Sequence, residues 1–398
     1  MLSVYEGFFS GGARIVHSDV VLGLREGGQH HRVLSIHGEV HREATRQRME
    51  DDACYRKLTA ADVGVTSLGR TFGAGGAGGL DPAVFTGPEL ADTARATADA
   101  DVVLSLKEQP LALLARAGLP RRPVVVCLHR SDPENQGRAL GDLKAAIADG
   151  TVAAAVCCAE STRAAYEAAG VPAGLLHVIP NGVDLIRFRP DAARRLAART
   201  ALGVDPAAPV VVFAARYDGM KNVPLFLAAA AAWLDAVPDG HVLMCGAGMT
   251  TANPGLAGDI ADAFAGAPDL PARLHLLGVR HDMETVYAAS DVVALTSAWG
   301  EAAPLCLVEG MMCGAVPVTT DVGDSAAIVA GRGIVTPPDP QAIAAAWTEA
   351  VTRRDEFAPA SAAARERFSR TRMIASYAAL IDRVYAGSVQ RIPQREDG

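Results

Sequence analysis

The sequence predicts an α/β protein built as two doubly wound, parallel-sheet domains. Short apolar runs rich in Val, Ala and Leu alternate with longer helical stretches along almost the whole chain. The runs are nearly continuous in hydrophobicity, as strands buried on both faces are. At 398 residues the chain exceeds one domain, since a typical domain holds roughly 150.

Taken in order, the chain opens on a strand-to-helix turn, Phe9-Ser10-Gly11-Gly12-Ala13-Arg14. Strands are then expected at 31–36, 101–106, 123–128, 152–157 and 176–179, with helices at 15–27, 88–99, 136–148 and 161–169. The text over 37–62 and the glycine-rich 69–79 is irregular, and the latter reads as a mobile loop. The rhythm breaks over 180–209, at "PNGVDLIRFRPD" and an Arg/Ala helix, and this is the expected domain boundary. It resumes with strands 209–215, 241–245, 273–277, 291–296 and 315–319 and helices 222–235, 256–266, 281–289, 303–313 and 339–353. The expected domains are therefore 1–185 and 186–370, with 371–398 a helix returning to the first domain and a tail. Sheets of this kind take ligands beyond the carboxyl ends of their strands, so two of them are expected to face a shared cleft.

Composition narrows the function. Half of the residues are apolar and 21% are charged, which excludes disorder, collagen and coiled coil. The net charge of −8 lies mostly in the second half, so no nucleic acid or anionic lipid is expected as a partner. The longest apolar run, 225–234, is about half the ~20 residues of a membrane span. The start, MLSVYEGFFSGG, has neither the basic segment nor the apolar core of a signal peptide. Seven cysteines without a CxxC pair predict buried free thiols in a reducing, cytoplasmic setting, with no metal site.

Several residues after strands suit an oxygen-rich ligand. Gly11 and Gly12 let backbone approach a phosphate or sugar at a helix start, although a plain tight turn accounts for them equally well. Arg216 and Lys221 follow the strand 209–215; lysine occurs only at 57, 107, 144 and 221. Two cations there suit a diphosphate, and a solvated pair is the bland alternative. In "SAWGEAAPLCLVEGMMCGAVPVTTDVG", Glu301 closes a loop, Pro304 suits a first helical turn, and Glu309 lies within the helix. The amides of that turn favour an anion. Glu309 suits a ribose diol and Glu301 a sugar hydroxyl, against a cap and a surface glutamate. His129 ends the strand 123–128, where a structural histidine is nearly as common as a functional one.

Together these pieces resemble the GT-B glycosyltransferases of family 4, which are retaining and nucleotide-sugar dependent. The resemblance rests on Gly11-Gly12, on "VIPNGVDLIRFRP", on Arg216 with Lys221, and on Glu301-x7-Glu309 with the glycine-rich text after it. It implies that Arg216 and Lys221 hold the donor diphosphate, Glu309 the ribose and Glu301 the donor sugar. Gly12 would approach the phosphate or sugar, and the loop at 278–283, with Val279 and Arg280, would read the base. His129 would lie beside the reacting sugar, and Ala303, Pro304 and Leu305 would line the donor site. The family's glycine or Ser-Phe-Gly after the first glutamate is replaced by Ala302-Ala303-Pro304, which reshapes the donor-sugar contacts.

The function expected is retaining, metal-independent transfer of a sugar to a small soluble acceptor, a cyclitol, aminocyclitol or specialised metabolite. No cofactor is expected beyond the co-substrate. Candidate acceptor contacts are Lys107, Glu108, His37 and Arg42. A nucleotide-sugar isomerase and a non-catalytic nucleotide-sugar binder are the alternatives, and the oligomeric state is not written in the sequence.

Overall fold

The structure, a computed structural model, describes residues 1–9, 11–42, 45–73, 84–116, 118–267 and 269–390, apart from the side chains of 42, 45 and 46. Contacts partition the chain into unit 1, Met1–Asn181 with Thr371–Gly398, and unit 2, Gly182–Arg370.

The first stretch runs β1 (Leu2–Gly7), α1 (Gly12–Glu26), β2 (Arg32–Arg42), β3 (Thr45–Arg48), α2 (Ala53–Ala60), β4 (Gly64–Phe72) and α3 (Gly87–Ala98). It continues β5 (Val103–Leu106), α4 (Leu111–Leu114), β6 (Val124–Leu128), α5 (Ala139–Ala148), β7 (Val152–Cys157), α6 (Glu160–Ala168) and β8 (Leu176–Val178). Next come α7 (Ala192–Leu202), β9 (Val210–Ala214), α8 (Val223–Ala236), β10 (His241–Cys245), α9 (Pro254–Ala263), β11 (Leu274–Gly278), α10 (Met283–Ala289) and β12 (Val292–Leu295). The chain ends with α11 (Leu305–Met312), β13 (Val316–Thr319), α12 (Ser325–Val329), β14 (Ile334–Val335), α13 (Pro340–Thr352), α14 (Arg354–Ala363) and α15 (Arg370–Gln390).

Unit 1 orders its sheet β3-β2-β1-β5-β6-β7-β8, with β4 also on β2. Only the β2–β3 pairing among the described strands is antiparallel. Unit 2 orders its own β11-β10-β9-β12-β13-β14, parallel throughout. In each sheet the winding reverses beside the first strand, between β1 and β5 and between β9 and β12. Such a switch point opens a crevice beyond the strand carboxyl ends.

Alternation along each strand feeds two cores. In β9, Val211 and Phe213 pack with Phe226, Trp233 and Trp347. Val210 and Val212 turn to the other face, against Leu307, Val308 and Met311. In β1, Leu2 and Val4 pack on one face and Tyr5 on the other, with Val21 and Leu58. This two-sided burial is what the unbroken apolar runs signal. Helix α15 packs on α1 at Gly23, where a β-carbon would sit 2.0 Å from Ile374 Cδ1. Its Tyr377, 2% exposed, hydrogen-bonds Cys127 of β6.

The text over 37–62 is not irregular, as the sequence had suggested. β2 runs on to Arg42, and β3 and α2 follow it. The reason is local pairing: Glu39 to Arg42 find partners in Thr45 to Arg48, so polar residues stand at a sheet edge. Residues 74–79 of the glycine-rich stretch lie outside the described residues. Among the described residues no helix is long and apolar enough to cross a membrane.

Candidate active site

In unit 2 the candidate residues gather at the switch point. From the end of β9 the chain passes Arg216 and Tyr217 to Asp218, whose carboxylate accepts from Met220 N–H at 2.9 Å and from Arg216 Nε at 2.9 Å. A single 3₁₀ turn, Gly219–Lys221, then leads into α8. On the other side of the crevice, Thr296 Oγ1 donates to the Lys221 carbonyl at 3.1 Å. Ala298 N–H donates to the Met220 carbonyl at 2.9 Å. The two strand-end loops are thereby laced together.

That lacing places Lys221 Nζ on the Glu301 carboxylate. Their side chains are 13% and 8% exposed, so this is a largely buried pair. Ser297 Oγ adds a hydrogen bond to Glu301 Oε1 at 2.6 Å. From behind, Gly323 presses on the loop: with φ +61°, its β-carbon would sit 2.3 Å from the Glu301 carbonyl oxygen. Only glycine fits so close a backbone approach. Asp324 N–H donates to the Ala302 carbonyl at 2.8 Å and Thr320 Oγ1 to the Ser297 carbonyl at 2.7 Å, completing the support.

Pro304 occupies the N-cap of α11 rather than its first helical turn, with φ −66° and ψ 115°. Its ring cannot donate, so the helix offers the amides of Leu305, Cys306 and Leu307 first. Ala303 lies half-buried just before it. One turn on, Glu309 is half-buried and accepts from Tyr287 of α10 at 3.1 Å. Burial, then the Glu309 charge, holds the Tyr287 phenol well above its usual range, so it serves as a donor. The carboxylate among Leu307, Val308, Met311 and Met312 is therefore partnered. Burial pushes the thiol of Cys306, in the first turn of the same helix, up to about 12.

The neighbouring loops carry the remaining candidates. Val279 is 60% exposed after β11, and Arg280 pairs with Asp282 at 2.6 Å. The turn after β10, not among the expected site elements, carries Gly246 (φ +138°) and Gly248 (φ +82°), which let the chain pass against residues 215–217. Its signal was "CGAG" directly after a strand.

In unit 1 the turns after β1 and β5 flank the other switch point. Gly11, at φ +151°, caps α1, and Gly12 is its first residue. Lys107 takes φ +66°, which is strained for a lysine. Its N–H donates to the Cys127 carbonyl at 3.0 Å, and its own carbonyl accepts from Ser105 Oγ at 2.7 Å. Glu108, expected to face an acceptor, is instead turned inward at 1% exposure. It accepts from Tyr166 OH and from Gln136 Nε2. His129 is half-buried after β6, its Nε2 shielded from solvent without a hydrogen-bond partner. Burial lowers its pKa to about 3, so the ring is neutral. His37 lies in β2 with Nδ1 2.6 Å from the Glu6 carbonyl. Arg42 ends the same strand, and its side chain is outside the description. Among the described residues no three His, Cys, Asp or Glu side chains are grouped to hold a metal ion.

Comparison with known proteins places these features. Residues 10–187 match the family described as Glycosyltransferase Family 4, and residues 208–353 match Glycosyl transferases group 1. A D-inositol 3-phosphate glycosyltransferase of Mycolicibacterium gilvum is 37% identical over 154 residues, 38% of this chain and 32% of that protein. An Escherichia coli UDP-Gal:alpha-D-GlcNAc-diphosphoundecaprenol alpha-1,3-galactosyltransferase is 31% identical over 157 residues, 39% of this chain and 38% of that protein. The aligned stretches thus span well under two thirds of these relatives. Anabaena HepE, solved with UDP-glucose, superposes with a TM-score of 0.76 at 22% identity, covering 96% of this chain and 98% of the other. Sucrose-phosphate synthase of Thermosynechococcus elongatus gives 0.71 at 17% identity, covering 97% and 99%. With two doubly wound units and both family matches in chain order, the chain belongs to the family 4 glycosyltransferases of the GT-B fold.

Proposed function

We propose that this protein transfers a sugar from a nucleoside-diphosphate sugar to a hydroxyl of a small soluble acceptor, with retention at the anomeric carbon, in the cytoplasm. The observation that carries this reading is the buried Lys221–Glu301 pair, with Glu301 on the loop that leads into the start of α11. The anomeric bond to the diphosphate breaks, and the acceptor oxygen bonds to the same face of the sugar. The acceptor's proton leaves with the departing diphosphate. Negative charge grows on that leaving group, and Arg216, Lys221 and the helix amides meet it without a metal. Gly11 and Gly12 offer close backbone approach to a phosphate or sugar at the start of α1. Glu309 holds the ribose with Tyr287 fixing its carboxylate, Val279 and Arg280 border the base, and Ala303 to Leu305 line the donor sugar. Glu301 exchanges its ammonium partner for a sugar hydroxyl when the donor enters. His129, neutral and unpartnered on Nε2, hydrogen-bonds the reacting sugar. Lys107 and His37 face the acceptor.

The inositol phosphate glycosyltransferase relatives support a polyol acceptor, and HepE with UDP-glucose supports a uridine nucleotide donor. The test is release of nucleoside diphosphate from a panel of donors, with and without cyclitol acceptors. Release that requires an acceptor supports transfer; interconversion of the donor alone means isomerisation, and binding alone means a silent binder. Lys221→Ala should lower kcat by 10²- to 10³-fold, the range of about 3–4 kcal/mol for one lost charge-stabilising donor. Near-normal turnover in that variant would remove the assignment.

A further inference from the structure

Trp299 stands on the rim of the unit 2 site, 52% exposed. It lies two residues before Glu301, and Gly300 between them takes φ +72°, in the left-handed region. Across that turn Glu301 is only 6% exposed while the indole meets solvent. The benzo edge of the ring lies over Gly219, 3.8 Å from where a β-carbon there would sit. The backbone beneath is fixed by the Ala298–Met220 and Thr296–Lys221 hydrogen bonds. An indole held this way, next to a buried charge pair, is a preorganised apolar surface beside polar groups.

We propose that Trp299 is a substrate-contact residue, a platform for the C–H face of a pyranose or cyclitol ring. The proposal rests on the nucleotide-sugar reading above. Such rings carry hydroxyls at their rim and polarised C–H bonds on their faces. The electron-rich face of an indole attracts the latter and leaves the hydroxyl rim free to hydrogen-bond. An axial hydroxyl on the stacked face would lift the ring off the indole, so this contact sorts rings by stereochemistry.

The molecule carries its own probe. Of its three tryptophans, Trp233 and Trp347 are 1% and 0% exposed, so acrylamide-quenchable emission comes from Trp299. UDP, UDP-glucose, and UDP with myo-inositol are titrated into the full chain, following emission and, in parallel, calorimetric heat. UDP alone should leave quenching nearly unchanged, and a ring-bearing ligand should shield the indole. Shielding by UDP-glucose identifies the ring as the donor's; shielding that needs myo-inositol identifies it as the acceptor's. Trp299→Ala should weaken that ligand roughly tenfold, the range of one aromatic contact, and leave UDP affinity unchanged. Trp299→Phe should restore affinity without the emission response. Equal affinity of wild type and Trp299→Ala for every ring-bearing ligand overturns the platform alone. Wild type that binds no UDP, ADP or GDP by calorimetry overturns the nucleotide-sugar reading, and this proposal with it.

Discussion

Glu108 sits behind the strained turn of Lys107, accepting from Tyr166 OH and from Gln136 Nε2 at 2.9 Å. Burial pushes its carboxyl up to about 7, although its own backbone, Lys107, Gln136 and Arg130 pull the other way. From pH 4.5 to about 7 the folded chain therefore keeps a proton that the unfolded chain releases. Its stabilising contribution is complete below pH 4.5 and is lost as pH rises through 7. Glu108→Gln keeps the shape and cannot ionise, so it should be more stable than wild type at pH 8, by up to about 3 kcal/mol. Near pH 4.5 the gap should close. Urea unfolding at the two pH values measures this, and a gap independent of pH would contradict it. The inward turn of Glu108 was not legible, because the positive φ of Lys107 breaks the strand alternation that sequence reading relies on. Arg216, Lys221 and Glu301 stood out as charged residues after apolar strands, and Glu309 as a carboxylate among Leu307, Val308, Met311 and Met312 that needs partners. Tyr287, Ser297 and Gly323 did not: each acts through a neighbour's geometry, and a buried tyrosine or a turn glycine looks ordinary in sequence.

At the scale of elements, the strands whose residues are apolar on both faces were readable to within a residue or two at most ends. Of the strands at sheet edges, β8 and β11 were readable too, and β3, β4 and β14 were not. β4 exposes Gly64 and half-buries Val65, Ser67 and Leu68, so its text is too polar to signal a core strand. β14, two residues long, has no period at all. α7 was readable as an Arg/Ala helix, but not the side it buries. Arg199 on that helix is 1% exposed and donates to Asp291 at 2.8 Å, where β12 begins. Arg195 of α7 reaches the same carboxylate at 2.5 Å and Arg354 of α14 at 3.1 Å. Asp291 also accepts from Val210 N–H of β9 at 2.9 Å. One carboxylate thus fastens two helices to the lower end of the unit 2 sheet. Carbonyls of Ala289, Asp205, Pro206 and Ala208 absorb the other donors of Arg199. Asp291→Ala strands a buried guanidinium without its counter-charge, a change that costs about 3–5 kcal/mol. The unfolding midpoint in urea should fall accordingly, and a loss under about 1 kcal/mol would mean the carbonyls alone suffice.

For the whole molecule, the two units differ in what acid does to them. Ser3 Oγ bridges His17 Nε2 at 3.0 Å and His31 Nε2 at 2.9 Å, and the Nδ1 atoms of both rings are buried without partners. Burial lowers both pKa values to about 3; His17 also lowers that of His31. In unit 2, His241 and His275 are lowered as well, but they are only half-buried and share a hydrogen bond of 3.1 Å. An unfolded histidine takes up a proton below about pH 6.5, and the buried neutral rings of unit 1 do not. Unit 1 is therefore unaffected by these rings above pH 6.5 and loses stability as pH falls below it. At pH 5.5 the loss is roughly 1.4 kcal/mol for each such ring. The two units can be watched separately, because all three tryptophans fall within 182–370. On acidification, far-ultraviolet circular dichroism should fall in a first step while tryptophan emission holds its native maximum. A His17→Asn, His31→Gln double variant should move that first step to lower pH and leave the emission step in place. Coincident transitions by both probes in the wild type would show that the buried histidines do not set the acid limit.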